Sequence, residues 1–264
     1  MPVTVEIVEH DYAHMETRAT PSKRAEETMS KAFDYFTYVD NTFSTYKEDS
    51  EIMKLNHGEI RPSESSEDMK TIFKLAELTK KETFGYFNMV DRNSILDPSG
   101  IVKGWAINNA AKIICEAGFK NYYVEAGGDI QVNGHNNKDK KWVIGIKNPL
   151  KQDENVKVVY LSNEGIATSG TYIRGQHIYN PHDQKELFND IVSLTVIGAN
   201  IYEADRFATA AFAMGRKGIQ FIEKLQIRQS NNGTRKRFDK LEGYMIDSKG
   251  IATLTSGFNK FLKL

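Results

Sequence analysis

The sequence predicts an α+β fold. Helix-forming segments fill the first half of the chain and strand-forming segments dominate the second. The two do not alternate as the βαβ units of a doubly wound sheet would.

The elements follow in order. Val3-Thr4-Val5-Glu6-Ile7-Val8 alternates and is β-branched, which predicts a strand. Thr20-Pro21 predicts a helix start, with Thr20 as N-cap and Pro21 at the first helical position, running to about Val39. Ser50 to Asn56 reads as a short capped turn. A second helix follows Ser65-Ser66, with Met69, Ile72, Phe73, Ala76 and Leu78 on one face. A third spans about Lys103 to Ala117 and stops at Gly118. Strands are predicted at Tyr122–Glu125, Trp142–Ile146, Val156–Leu161 and Ile191–Ile197. A helix over 203–214, a shorter one near Ile219–Leu225, and closing strands at Tyr244–Asp247 and from Ile251 complete the chain.

The chain has 264 residues, is 40% hydrophobic and 27% charged, and balances 35 basic against 35 acidic side chains. That neutrality gives no electrostatic case for nucleic acid, and the runs at Arg235-Lys236-Arg237 and Lys138–Lys141 read as solvated loops. One cysteine, Cys115, excludes an internal disulfide framework and is expected at a buried helix position. With no signal peptide, lipid-attachment cysteine near the start or membrane-length apolar run visible, the expectation is a soluble, cytoplasmic protein. A removed leader would make it an exported one.

The most telling pair is Asp205 and Thr209, four residues apart in a segment of small and apolar residues. At that spacing a carboxylate and a hydroxyl share one helix face, and hard cations such as Mg²⁺ take oxygen ligands. The same segment also reads as an ordinary helix N-terminus with an acid in its first turn. Asp97-Pro98-Ser99-Gly100-Ile101-Val102-Lys103-Gly104 is a Gly-rich turn entering a helix, suited to phosphate, with Lys103 adding charge; a plain helix entry is the competing reading. It lacks the Walker A spacing. Glu125-Ala126-Gly127-Gly128-Asp129 follows a strand and is either a hairpin turn or a close approach to a ligand. Ala167-Thr168-Ser169-Gly170-Thr171 ends a strand with hydroxyls able to line a polar cleft, or is simply a polar turn. No GxSxG elbow is present. His177 is a candidate general base or a structural histidine. The other histidines show no zinc spacing. Trp105, Trp142, Tyr172 and Tyr46 are able to stack on a flat ring, though such residues more often fill a core.

In their order and number these stretches, together with Thr42–Tyr46, Ser50-Glu51-Ile52, Asn56 and His177–Pro181, resemble the ApbE-type FAD:protein FMN transferase family over nearly the whole chain. The resemblance implies one domain over 1–264 of the ApbE-like, T-fold-like α+β type, with mixed helices and antiparallel sheet around a deep FAD cleft. It implies Mg²⁺ on the FAD pyrophosphate, held by Asp205, Thr209 and the main-chain carbonyl of Val102. It places Asp97, Lys103, Gly127, Gly128, Asp129, Thr168 and Ser169 at the FAD, and gives His177 the role of assisting the attacking hydroxyl. The implied reaction transfers FMN from FAD to a Thr or Ser hydroxyl of an acceptor flavoprotein and releases AMP. The alternatives are a non-catalytic FAD carrier and a metal-dependent FAD pyrophosphatase giving FMN and AMP. Two stretches depart from the family pattern. Met1-Pro2-Val3-Thr4 replaces a Met-Gly-Thr start, and His182–Lys185 replaces a Thr-Gly ending.

Overall fold

Most strand-forming runs of the second half join the first strand in one antiparallel sheet. The computed structural model describes residues 1–9, 21–91, 94–151, 153–171, 181–182, 190–230 and 241–263, with 226–230 as main chain only. The sheet has seven strands in the order β1-β2-β3-β6-β7-β8-β9. They are β1 (Val3–Ile7), β2 (Tyr122–Ala126), β3 (Asp129–Asn133), β6 (Gly165–Gly170), β7 (Ile191–Gly198), β8 (Glu242–Asp247) and β9 (Ala252–Leu254). A separate two-stranded hairpin pairs β4 (Trp142–Lys147) with β5 (Asn155–Leu161). Among the described residues the α-helices are α1 (Lys23–Phe43), α2 (Glu51–Asn56), α3 (Glu67–Glu82), α4 (Ser99–Glu116), α5 (Ile201–Ala213) and α6 (Lys217–Ser230). The α+β expectation therefore holds.

Strand alternation gives the sheet two apolar faces. Val124, Ala167, Leu194, Val196 and Met245 meet Ile107, Ile114, Phe207 and Ile222 of the helices in one core cluster. Ile166, Ile197, Tyr244 and Ile246, on the other face, meet Trp142, Ile144 and Ile146 of the hairpin and the C-terminal Phe258 and Phe261. A third cluster, built from α1 to α4 around Met69, Ile72, Ile101 and Trp105, extends the helical layer.

Several expected boundaries move. Helix α1 starts at Lys23, because Ser22 is its cap: the Ser22 hydroxyl accepts from the Ala25 N–H at 3.1 Å. It also runs on to Phe43, past the expected Val39. Thr20 lies outside the described residues. Helix α4 starts at Ser99 rather than Lys103, so the Gly-rich stretch is already helical. Helix α6 extends to Ser230. Cys115 is exposed, not buried. The buried face of α4 carries Ala110, Ala111 and Ile114, and one further residue turns the side chain off that face. Leu78 is 36% exposed and leaves the face shared by Met69, Ile72 and Ala76 for the same reason. Trp105 and Trp142 are buried core residues and Tyr46 is 92% exposed, so none of the three offers a stacking platform in a cleft. Tyr172 and the run Arg235–Arg237 lie outside the described residues.

Candidate functional site

Helix α5 is buried on every side, which its run of alanines and phenylalanines dictates. Of its residues only Thr209 escapes full burial. Asn200 caps the helix by accepting from the Glu203 N–H at 2.9 Å. The buried Arg206 guanidinium ties the helix sideways, bonding Glu203 and Glu82 and donating to the Thr79 hydroxyl at 3.3 Å. Helix α4 crosses α5 at Gly104. A Cβ there would lie 2.6 Å from the Asp205 Cβ and 2.9 Å from the Ile201 carbonyl, so only glycine allows this approach.

The crossing brings the candidate residues together. Gly104 N–H donates to Asp205 Oδ2 at 2.7 Å. Lys103 Nζ lies 2.7 Å from Asp129 Oδ2 and 3.8 Å from Asp205 Oδ1. Asp129 Oδ1 accepts from the Thr168 N–H at 3.1 Å. Asp205 is 3% exposed, and its pKa is pushed up to about 7. Burial is the main cause; Lys103 opposes it, and the neighbouring Asp129 carboxylate adds to it.

These residues stand on a cleft of about 890 Å³ that is also lined by Asp97, Gly127, Gly128, Ser169 and Thr209. A cleft of this size is in the range of small-molecule sites. The Gly127-Gly128 pair is the tight turn between β2 and β3, with φ of 60° and 91°. The hairpin-turn reading is therefore correct, and both glycines also line the cleft. The Met1-Pro2 stretch also reaches the cleft: both residues line it, and Gly127 N–H donates to the Pro2 carbonyl at 3.2 Å.

Other expectations change. The 97–104 stretch is a helix entry that also borders the cleft. Asp97 accepts from the Ser99 N–H at 2.9 Å, and the Ile101 and Val102 N–H groups bond the Pro98 carbonyl. Those three amides are engaged within the helix start, while Ser99, Gly100 and Lys103 line the cleft. The Thr168 hydroxyl is paired with that of Thr195 at 2.8 Å. Val102 is not among the cleft-lining residues; its side chain packs in the helical core. His177 lies outside the described residues. Sequence reasoning missed the walls made by Tyr86–Met89 and by Val143–Lys147. The second had a signal in the alternation around Gly145, which marks a half-buried strand.

No His, Cys, Asp or Glu cluster of three or more is gathered for a metal among the described residues. The donors present are nonetheless those a hard cation takes. Two buried carboxylates are balanced by one lysine, and Thr209, a hydroxyl-bearing residue one turn after Asp205, lines the same cleft. A cation completing its shell with ligand phosphate oxygens fits this set.

Among the described residues no helix is long and apolar enough to cross a membrane. The chain is similar to a Vibrio cholerae protein named FAD:protein FMN transferase, 33% identical over 142 residues. That match covers 50% of this chain and 42% of the relative. A Salmonella typhimurium protein of the same name is 24% identical over 262 residues, covering 76% of this chain and 75% of that one. The solved structure of the flavin transferase ApbE from Vibrio cholerae superposes with a TM-score of 0.77 at 21% identity, covering 98% of this chain and 95% of that one. The last likeness is one of fold. The model of the ApbE family matches residues 1–92 and 89–230, and the chain belongs to that family.

Proposed function

We propose that the chain is a Mg²⁺-dependent FAD:protein FMN transferase. The observation that carries this reading is Thr209, the one incompletely buried residue of α5, opening on the cleft one turn after the buried Asp205. Family membership and the names of the relatives support the same reading. Asp205, Thr209 and the main-chain carbonyl of Val102 would hold Mg²⁺, which when bound withdraws charge from the FAD pyrophosphate. Lys103, steered by Asp129, sets a positive charge beside the same phosphates. Asp129 is in turn oriented by the Thr168 amide, so the lysine does not have to be ordered when substrate arrives. Asp97, Gly127, Gly128 and Ser169 form the surrounding wall for the FAD.

In the proposed reaction a Thr or Ser oxygen of the acceptor bonds to the FMN-side phosphorus. The bond from that phosphorus to the bridging oxygen breaks, and AMP leaves with that oxygen. FMN remains on the acceptor as a phosphoester. The hydroxyl proton passes to a base, the role assigned to His177. The test is incubation with FAD and Mg²⁺, with and without an acceptor flavoprotein. Flavin fixed covalently to the acceptor with AMP released supports transfer. Free FMN with AMP would instead identify a pyrophosphatase, and FAD bound but unchanged a carrier.

A further inference from the structure

One wall of the cleft is made by five consecutive residues of β4, Val143 to Lys147. A strand presenting one face to a cleft would contribute every second residue, because successive side chains point to opposite sides. Here Ile144 and Ile146 are buried in the core, while Val143, Gly145 and Lys147 are exposed. What all five share is the main chain, so the edge of β4 borders the cleft. β5 pairs with one side of β4, and among the described residues no further strand covers the other. Among those residues no main-chain group of Val143–Lys147 hydrogen-bonds outside the hairpin. Such a row of open N–H and C=O groups is a template for another extended chain.

We propose that this edge receives the extended segment of the acceptor protein that carries the reacting hydroxyl, which adds to β4 as a third strand. The inference rests on the transferase reading and names how its protein substrate is held. A hydroxyl must be carried into a concave site near Asp205 and Thr209, and an extended segment reaches there where a flat protein surface does not. The exposed face beside the edge offers Val143 and, opposite Gly145, Val158. These give alternate side chains of an added strand an apolar seat. Lys147 at the end of the row favours an acidic residue in the incoming segment.

The experiment measures transfer by the intact protein to a labelled acceptor, then to short peptides centred on the FMN-bearing residue. Each peptide carries one N-methylated amide. Strand addition predicts a KM for peptide raised roughly fivefold or more at alternate positions and unchanged between them, with KM for FAD constant. Uniform effects, no effect, or a peptide that neither accepts FMN nor competes with the acceptor overturn the proposal and leave the transferase reading standing. A self-association in sedimentation that Val143→Pro abolishes would also overturn it, by assigning the edge to a second copy. Failure of the transferase reading itself looks different: FAD binds, and no acceptor is ever labelled.

Discussion

At Asp205 a carboxylate is held almost out of water with one lysine and one amide to balance it. Asp205→Ala is expected to lower Mg²⁺-dependent AMP release by at least about 100-fold, the loss that follows when several kcal/mol of charge stabilisation goes. Thermal melting gives a check independent of turnover. Mg²⁺ with FAD should raise the melting temperature of the parent and leave that of the variant unchanged. Gly104→Ala addresses the crossing instead. Its methyl has no room against Asp205 and Ile201, so a destabilisation of about 1–3 kcal/mol in urea titration is expected, together with weakened Mg²⁺ dependence. The Asp205–Thr209 pair was legible because helical spacing alone puts both on one face. The Lys103–Asp129 ion pair was not, because it joins a helix to a strand and exists only through the tertiary fold.

Helix α5 shows what an element contributes beyond its site residues. All its residues but Thr209 are buried, and its one cation, Arg206, is fully buried and paired with Glu203 and Glu82. Removing one member of such a cluster leaves charge uncompensated. Arg206→Ala should therefore cost about 3–5 kcal/mol in equilibrium unfolding. The loss should also appear as reduced transfer, since α3 would no longer brace the helix that carries Asp205. This helix was readable from its composition. Strand β3 was not read as a strand, and β6 was read only as a strand end over Ala167–Thr171. Asp-Ile-Gln-Val-Asn opens on a charge directly after two glycines, and Gly-Ile-Ala-Thr-Ser-Gly is built from small residues of low strand preference. Their places in the middle of the sheet, where pairing partners lie on both sides, override that preference.

Across the whole molecule the sheet is tied to the helical layer at its far end by Arg216. It pairs with Asp190 and, at 2.8 Å, with Asp247. Arg216 and the Ile251 and Lys249 amides hold the Asp247 carboxyl below its usual range. A carboxylate with a lowered folded pKa adds stability above its unfolded value, about 3.9, and loses it as pH falls through the folded value. Asp247→Asn should therefore lower the urea midpoint at pH 7 and bring it closer to the parent's at about pH 3, so the variant shows a flatter acid limb. The α+β class was legible from the order of helices and strands. The cleft was legible only through the family resemblance, because it is walled by segments spread from Met1 to Thr209 that no local pattern joins.

The sheet order places β3 directly beside β6, so the chain between Asn133 and Gly165 leaves the sheet, forms the β4–β5 hairpin and returns to the next position. The hairpin is a detour that the sheet does not need for its own continuity, anchored through Trp142, Ile144 and Ile146. That makes it an interchangeable part. A hairpin grafted from a family member serving a different acceptor, with those three anchors kept, should redirect which protein is labelled while KM for FAD stays the same. Choice of partner and handling of the nucleotide would then evolve on separate pieces of chain.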